Sequence, residues 1–276
     1  MSQFDCGAVI QQTVCPWPVW LRWVALAAAS LPCVAAATSM QVAPVRMVLS
    51  TVRPVASMTV GNGEDVEIAV QAEVFAWSQE NGKDVYRATQ DVLVNPAIFR
   101  LPADSQQIVR IGLRVVGDAK ERSYRIFLQQ LPRDQALPTD TSAGVRLQTL
   151  LRVGVPIFVA PVVATTQQVQ WHLQTVEADA GPTKAPMQGK RQVLVFDNRG
   201  SEHVQLTHVV VRSEAGVEIA QKSLSHYVLA GQSAVLPIDL PPLAPDTALR
   251  VEARSDAAVA LPDALVRVPR VEATPR

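Results

Sequence analysis

Beyond residue 38, apolar and polar side chains alternate with a period of two almost everywhere. Val66, Ile68, Val70, Ala72 and Val74 interleave with Glu67, Ala69, Gln71 and Glu73. Val109, Ile111, Leu113 and Val115 interleave with Arg110, Gly112 and Arg114, and Tyr124, Ile126 and Leu128 follow the same rule. Such alternation puts one set of side chains on a buried face and the other in water, as an antiparallel sheet with one wet side requires. Turn residues separate the runs: Gly61-Asn62-Gly63, Asn81-Gly82-Lys83, Asn95-Pro96 and Leu101-Pro102-Ala103. No window long enough for a helix carries a helical period. The pattern predicts an all-β chain built from immunoglobulin-sized β-sandwiches.

Pro156 and Pro161 bracket Ile157-Phe158-Val159-Ala160, and past Pro161 the alternation restarts at Val193–Phe196, Val204–Val211, Tyr227–Leu229, Val235–Leu240 and Leu249–Ala253. The expected organisation is residues 1–37, a first sandwich over 38–161 and a second over 162–276. No sequence repeat links the two blocks. The run from Val145 to Val159 is long for a strand, which is typically 5 or 6 residues. A long apolar strand at a sheet edge is an aggregation hazard. It is therefore either central, or an edge meant to be paired by another chain.

Residues 1–37 read as an address. Arg22 precedes an apolar stretch, Val24 to Ala37, that ends in small residues, which is the grammar of a secretory signal peptide. As a membrane anchor the stretch is short, and Pro32 interrupts it. As a lipoprotein signal, Pro32 before Cys33 is a poor match. The three cysteines, Cys6, Cys15 and Cys33, all lie here. The remainder is thiol-free, which suits an oxidising envelope. Formal net charge is zero, from 25 Lys+Arg against 25 Asp+Glu, so no global field draws the chain to nucleic acid or anionic lipid. The 48% apolar content is too high for a disordered chain.

Catalytic patterns are missing from the sequence. His172, His203, His208 and His226 show no metal-ligand spacing, and no His-Glu-x-x-His, nucleophile elbow or phosphate loop appears. Trp77 and Trp171 suit core or strand-end packing better than a ligand platform. The expectation is a non-enzyme with no cofactor, no metal and no catalytic residues.

Six segments, in order and at family-like spacing, carry a resemblance. They are Val42–Leu49, Val70–Trp77, Val92–Pro102, Gln107–Leu113, Tyr124–Pro132 and Val145–Val159. Together, behind a signal peptide, they resemble the PapD-like periplasmic chaperones of fimbria and pilus assembly. More specifically, they are similar to the branch that serves spore-coat-protein-U-like pilins. The match covers residues 40 to 160 well. Val195–Leu206 resembles the family's less regular second domain.

The resemblance implies two immunoglobulin-like domains in a boomerang, with a subunit-binding cleft between them. It implies that the last strand of the first domain is lent to a pilin-like subunit lacking a strand, by β-augmentation, before delivery to an outer-membrane usher. The matching donor positions are Val145, Leu147, Thr149, Leu151 and Val153. Arg46 matches the arginine that anchors the subunit's C-terminal carboxylate. The family's second anchor, usually lysine, falls on Pro156, which leaves Arg125 and Arg152 as equal substitutes. Glu121 matches the acid of an inter-domain ion pair, but Ala160 stands where its arginine is usual, so the hinge must be held some other way. The expected partners are a subunit and an usher, with self-association of the free form as a further expectation. The alternative reading is a surface or periplasmic β-sandwich that binds or adheres, for instance to carbohydrate.

Overall fold

The computed structural model describes residues 39–80, 82–132, 149–177, 190–257 and 261–270. The expected signal peptide over 1–37 and the donor positions Val145 and Leu147 lie outside the described residues. Every regular element among the described residues is a strand.

The first sandwich holds β1 (Met40–Ala43), β2 (Met47–Leu49), β3 (Val55–Asn62), β4 (Ile68–Glu80), β5 (Lys83–Ala88), β6 (Val92–Asn95), β7 (Ile98–Leu101), β8 (Gln106–Leu113), β9 (Arg122–Gln130) and β10 (Arg152–Val159). One sheet runs β1-β3-β8-β6; the other runs β2-β10-β9-β4-β5, with β7 also on β4. The alternating residues meet between them. Val70, Ala72 and Val74 of β4, Val109 and Ile111 of β8, and Ile126 and Leu128 of β9 are all buried in one core. The second sandwich holds β11 (Val169–Glu177), β12 (Lys190–Asn198), β13 (Val204–Ser213), β14 (Glu218–Val228), β15 (Ser233–Val235), β16 (Ala248–Ser255) and β17 (Ala264–Arg267). Its sheets run β11-β12-β15 and β14-β13-β16-β17. They enclose a separate core around Trp171, Leu194, Phe196, Leu206, Val211 and Leu249. The fold is all-β, in two immunoglobulin-like sandwiches.

The first strand is split between sheets. β1 pairs antiparallel with β3, from Met40 opposite Asn62 to Ala43 opposite Thr59. After Pro44, Val45 and Arg46 the chain joins the other sheet, where β2 pairs parallel with β10: Met47 opposite Ile157, Phe158 opposite Val48, Val159 opposite Leu49. On its other side β10 pairs with β9 along its whole length, from Arg152 opposite Gln129 to Val159 opposite Arg122. The strand is therefore central in one half and at an edge in the other. Ile157–Val159 is central, while among the described residues Arg152–Pro156 has a partner on one side only. The strand is also shorter than its alternation suggests: Thr149, Leu150 and Leu151 precede it.

Candidate functional site

The open edge of β10 has a definite polarity. The Gln130 N–H donates to the Leu151 carbonyl at 2.9 Å, so Leu151 faces β9. Backbone groups of successive strand residues point to opposite sides. Arg152, Gly154 and Pro156 therefore turn their backbone groups to the open edge. Proline has no N–H to donate and is tolerated there for that reason. Side chains follow the other axis of the strand. Val155, Ile157 and Val159 are buried in the first core and Val153 packs against it. The odd positions continue backwards as Leu151, half-buried, and Thr149, exposed. The core-facing series thus runs past the point where this domain has core to offer.

The opposite face of β9 and β10 is aromatic and cationic. Gly154 lies across from Phe127. A Cβ there would come within 3.0 Å of the Phe127 ring, so glycine is what lets the ring lie over the strand. The Arg152 guanidinium stacks on the same ring at 4.1 Å. Arg125, across from Pro156, lies 4.3 Å from the Trp77 ring centroid. It donates to the Tyr86 hydroxyl at 2.6 Å and stands 3.5 Å from Asp84. Its Nε is buried without a hydrogen-bond partner.

Arg46 sits at the sheet crossover, one residue before β2. Its guanidinium donates to the Asp256 carboxylate and, at 3.4 Å, to the Gln205 side-chain oxygen, both in the second sandwich. The hydrogen bond to Asp256 raises its pKa above the ordinary arginine value. Tyr227 is close by. Burial pushes its phenol up; Arg46 pulls it down, Asp256 pushes it up again, and Arg125 pulls it down. Arg46 and Arg125 therefore share Tyr227 as a neighbour, whereas Arg152 is engaged with Phe127.

The two sandwiches meet through a third apolar cluster of Trp77, Phe158 and Leu229, with Tyr86 and Tyr227 packed against it. Gln79, 5% exposed, joins them by hydrogen bonds. Its amide nitrogen donates to the Tyr227 carbonyl at 2.8 Å, and its oxygen accepts from the Leu229 N–H at 3.0 Å. Glu121 crosses the junction as well. His203 Nδ1 lies 2.8 Å from one of its oxygens and 3.0 Å from the other, and the His203 N–H donates to it at 3.1 Å. The imidazole is stacked on Phe158 at 3.6 Å between ring centroids. Glu121 is thus paired with a histidine of the second sandwich. Burial raises the neighbouring Glu202 carboxyl, with the Glu121 charge adding to it.

Sequence reasoning singled out Arg46, Arg125, Arg152 and Glu121 but not their neighbours Tyr227, Asp256, Gln205 and Gln79, nor the pairing of His203. His203 lay inside the Val195–Leu206 resemblance, which was its only signal. Among the described residues no group of three His, Cys, Asp or Glu residues converges as a metal site.

The described residues thus form an open-edged first sandwich tied to a second through an apolar cluster and paired charges. Residues 39–164 match the family described as the pili and flagellar-assembly chaperone, PapD N-terminal domain. The first sandwich is thus similar to the N-terminal domain of the PapD-like pilus-assembly chaperones, a family of assembly helpers rather than enzymes. Its members are periplasmic. No curated protein matches the chain. Among solved structures, a chain of the CsuC–CsuE chaperone–tip adhesion subunit pre-assembly complex, from archaic chaperone-usher Csu pili of Acinetobacter baumannii, superposes with a TM-score of 0.57 at 17% identity, covering 85% of this chain and 100% of that one. The SafA pilin–SafB chaperone complex of Salmonella enterica gives 0.53 at 16% identity, over 84% of this chain and 97% of that one. The E. coli chaperone DraB gives 0.51 at 16% identity, over 84% and 97%. These likenesses establish a shared fold.

Proposed function

We propose that the chain caps pilin-like subunits in the periplasm, by lending them the strand that leads into β10, and hands them to an outer-membrane usher. Residues 1–37 direct export; 38–161 and 162–276 are the working domains. The subunits belong to the spore-coat-protein-U-like class, a reading carried by the six ordered segments. The observation that carries the capping itself is the half-open β10. Among the described residues its backbone at Arg152–Pro156 has a partner on one side only, and its core-facing series extends through Val153, Leu151 and Thr149, an alternation that Leu147 and Val145 continue in the sequence. A subunit with an incomplete sandwich supplies a core for that series. Each buried Val or Leu contributes about 1.5–3 kcal/mol, and Thr149, with a hydroxyl to satisfy, less.

The register supports the direction of binding. β2 already runs parallel to β10 and occupies the edge from Ile157 onwards. A subunit strand laid parallel on the preceding edge lies in line with β2, and its C-terminus meets Arg46. A guanidinium holds a carboxylate there by paired hydrogen bonds. Arg125 is the favoured second anchor, because it shares Tyr227 with Arg46 as a neighbour whereas Arg152 is stacked on Phe127. Trp77 and Trp171 are both buried, which disfavours the reading as a carbohydrate-binding module.

The test is co-expression with a candidate subunit followed by purification from the periplasm. A stable one-to-one complex is expected, and it is lost in the Leu147→Asp/Leu151→Asp variant while the variant itself stays folded. Undiminished recovery with that variant contradicts strand lending.

A further inference from the structure

Arg46 is not a vacant anchor in the free chain. Its guanidinium is engaged by the Asp256 carboxylate, and both side chains keep some contact with water, at 39% and 26% exposure. Asp256 is held in place from behind. It directly follows β16, and its N–H donates to the Gln205 carbonyl at 3.1 Å. The Gln205 side chain in turn accepts from Arg46 at 3.4 Å and donates to Ser225 at 2.9 Å. One residue of β13 thus fixes both members of the pair. The arrangement reproduces, inside the chain, the contact that a subunit's C-terminal carboxylate is to make.

We propose that Asp256 is an internal stand-in for that carboxylate, so that loading a subunit exchanges one carboxylate for another on Arg46. The proposal rests on the reading of Arg46 as the anchor. Two carboxylates on one guanidinium repel each other, so the incoming group must displace Asp256 or share Arg46 at a cost. A chain end without a free carboxylate has nothing to exchange. Asp256 therefore sets the net gain of the anchor contact, since an incoming carboxylate gains only its advantage over Asp256. It also keeps a half-exposed guanidinium neutralised between rounds of loading.

The test uses the full chain and the subunit recovered with it by co-expression. Affinities are compared for wild type, Asp256→Asn, Arg46→Ala and the double variant, with circular dichroism as the check of folding and Asp256→Ser as a second variant at that site. Asparagine keeps the shape of the side chain and removes the competing charge. An exposed ion pair of this kind corresponds to about two- to five-fold in affinity, so Asp256→Asn is expected to tighten binding by that factor. Arg46→Ala is expected to weaken it about ten-fold or more, as for a lost charge-assisted bond. In the Arg46→Ala background, Asp256→Asn has no effect. If Arg46→Ala weakens binding but Asp256→Asn leaves it unchanged, the stand-in is overturned and the anchor stands. If Asp256→Asn weakens binding, Asp256 positions Arg46 instead of competing for it, and the proposal also fails. If Arg46→Ala changes nothing, the anchor itself is wrong.

Discussion

Asn62 and Asn198 make the same hydrogen bonds in the two sandwiches. Each ends a strand, β3 or β12, and each is 2–3% exposed. The Asn62 amide donates to the carbonyls of Val66, Leu101 and Pro102, and its oxygen accepts from the Glu64 N–H. The Asn198 amide donates to Glu202, Val228 and Leu229, and its oxygen accepts from the Gly200 N–H. In both, the acceptors are the residue four further on and two consecutive carbonyls of a distant segment. The two sandwiches therefore share a corner that no sequence repeat announced. Gly61-Asn62-Gly63 was legible only as a turn, because the asparagine's partners lie at strand ends far along the chain. Removing the side chain leaves buried carbonyls without donors, the costly direction for a hydrogen bond. Asn198→Ala is expected to destabilise the protein by about 2–4 kcal/mol, measured by denaturant unfolding. A loss below about 0.5 kcal/mol would show that the corner carries no weight.

β10 is the element on which alternation said most and least. Its odd positions were read as one apolar face, and Val155, Ile157 and Val159 are indeed buried together. Alternation fixes the faces of a strand, whereas centrality depends on where its neighbours end. Here the neighbour ends at Met47, because the chain changes sheets across Pro44, Val45 and Arg46. Nothing in the local pattern of residues 145–159 reports that crossover. Pro156 was read as a departure from the family's lysine. In the structure it stands on the open side of a half-paired strand, where a proline removes no ladder bond. Gly154 is likewise set by its neighbour, since any larger residue meets Phe127 at 3.0 Å.

At the scale of the molecule, two cores are joined by a third. The cluster of Trp77, Phe158 and Leu229, the Gln79 bridge and the Glu121–His203 pair all cross the junction. These contacts predict that wild type melts in a single calorimetric transition. Gln79→Ala combined with Glu121→Ala is expected to separate it into two; a single sharp transition in that variant would show that the junction does not couple the sandwiches. Sequence reasoning saw the acid and the absent arginine but not the histidine, because a pair across domains leaves no spacing to read. The central claim concerns the open edge, and backbone exchange reports on it directly. The Arg152 and Gly154 amides face that edge, so in the free chain their hydrogens exchange rapidly. With a subunit bound, the account predicts that both slow by at least about ten-fold. Unchanged exchange at Arg152 and Gly154 in a stable complex would contradict it.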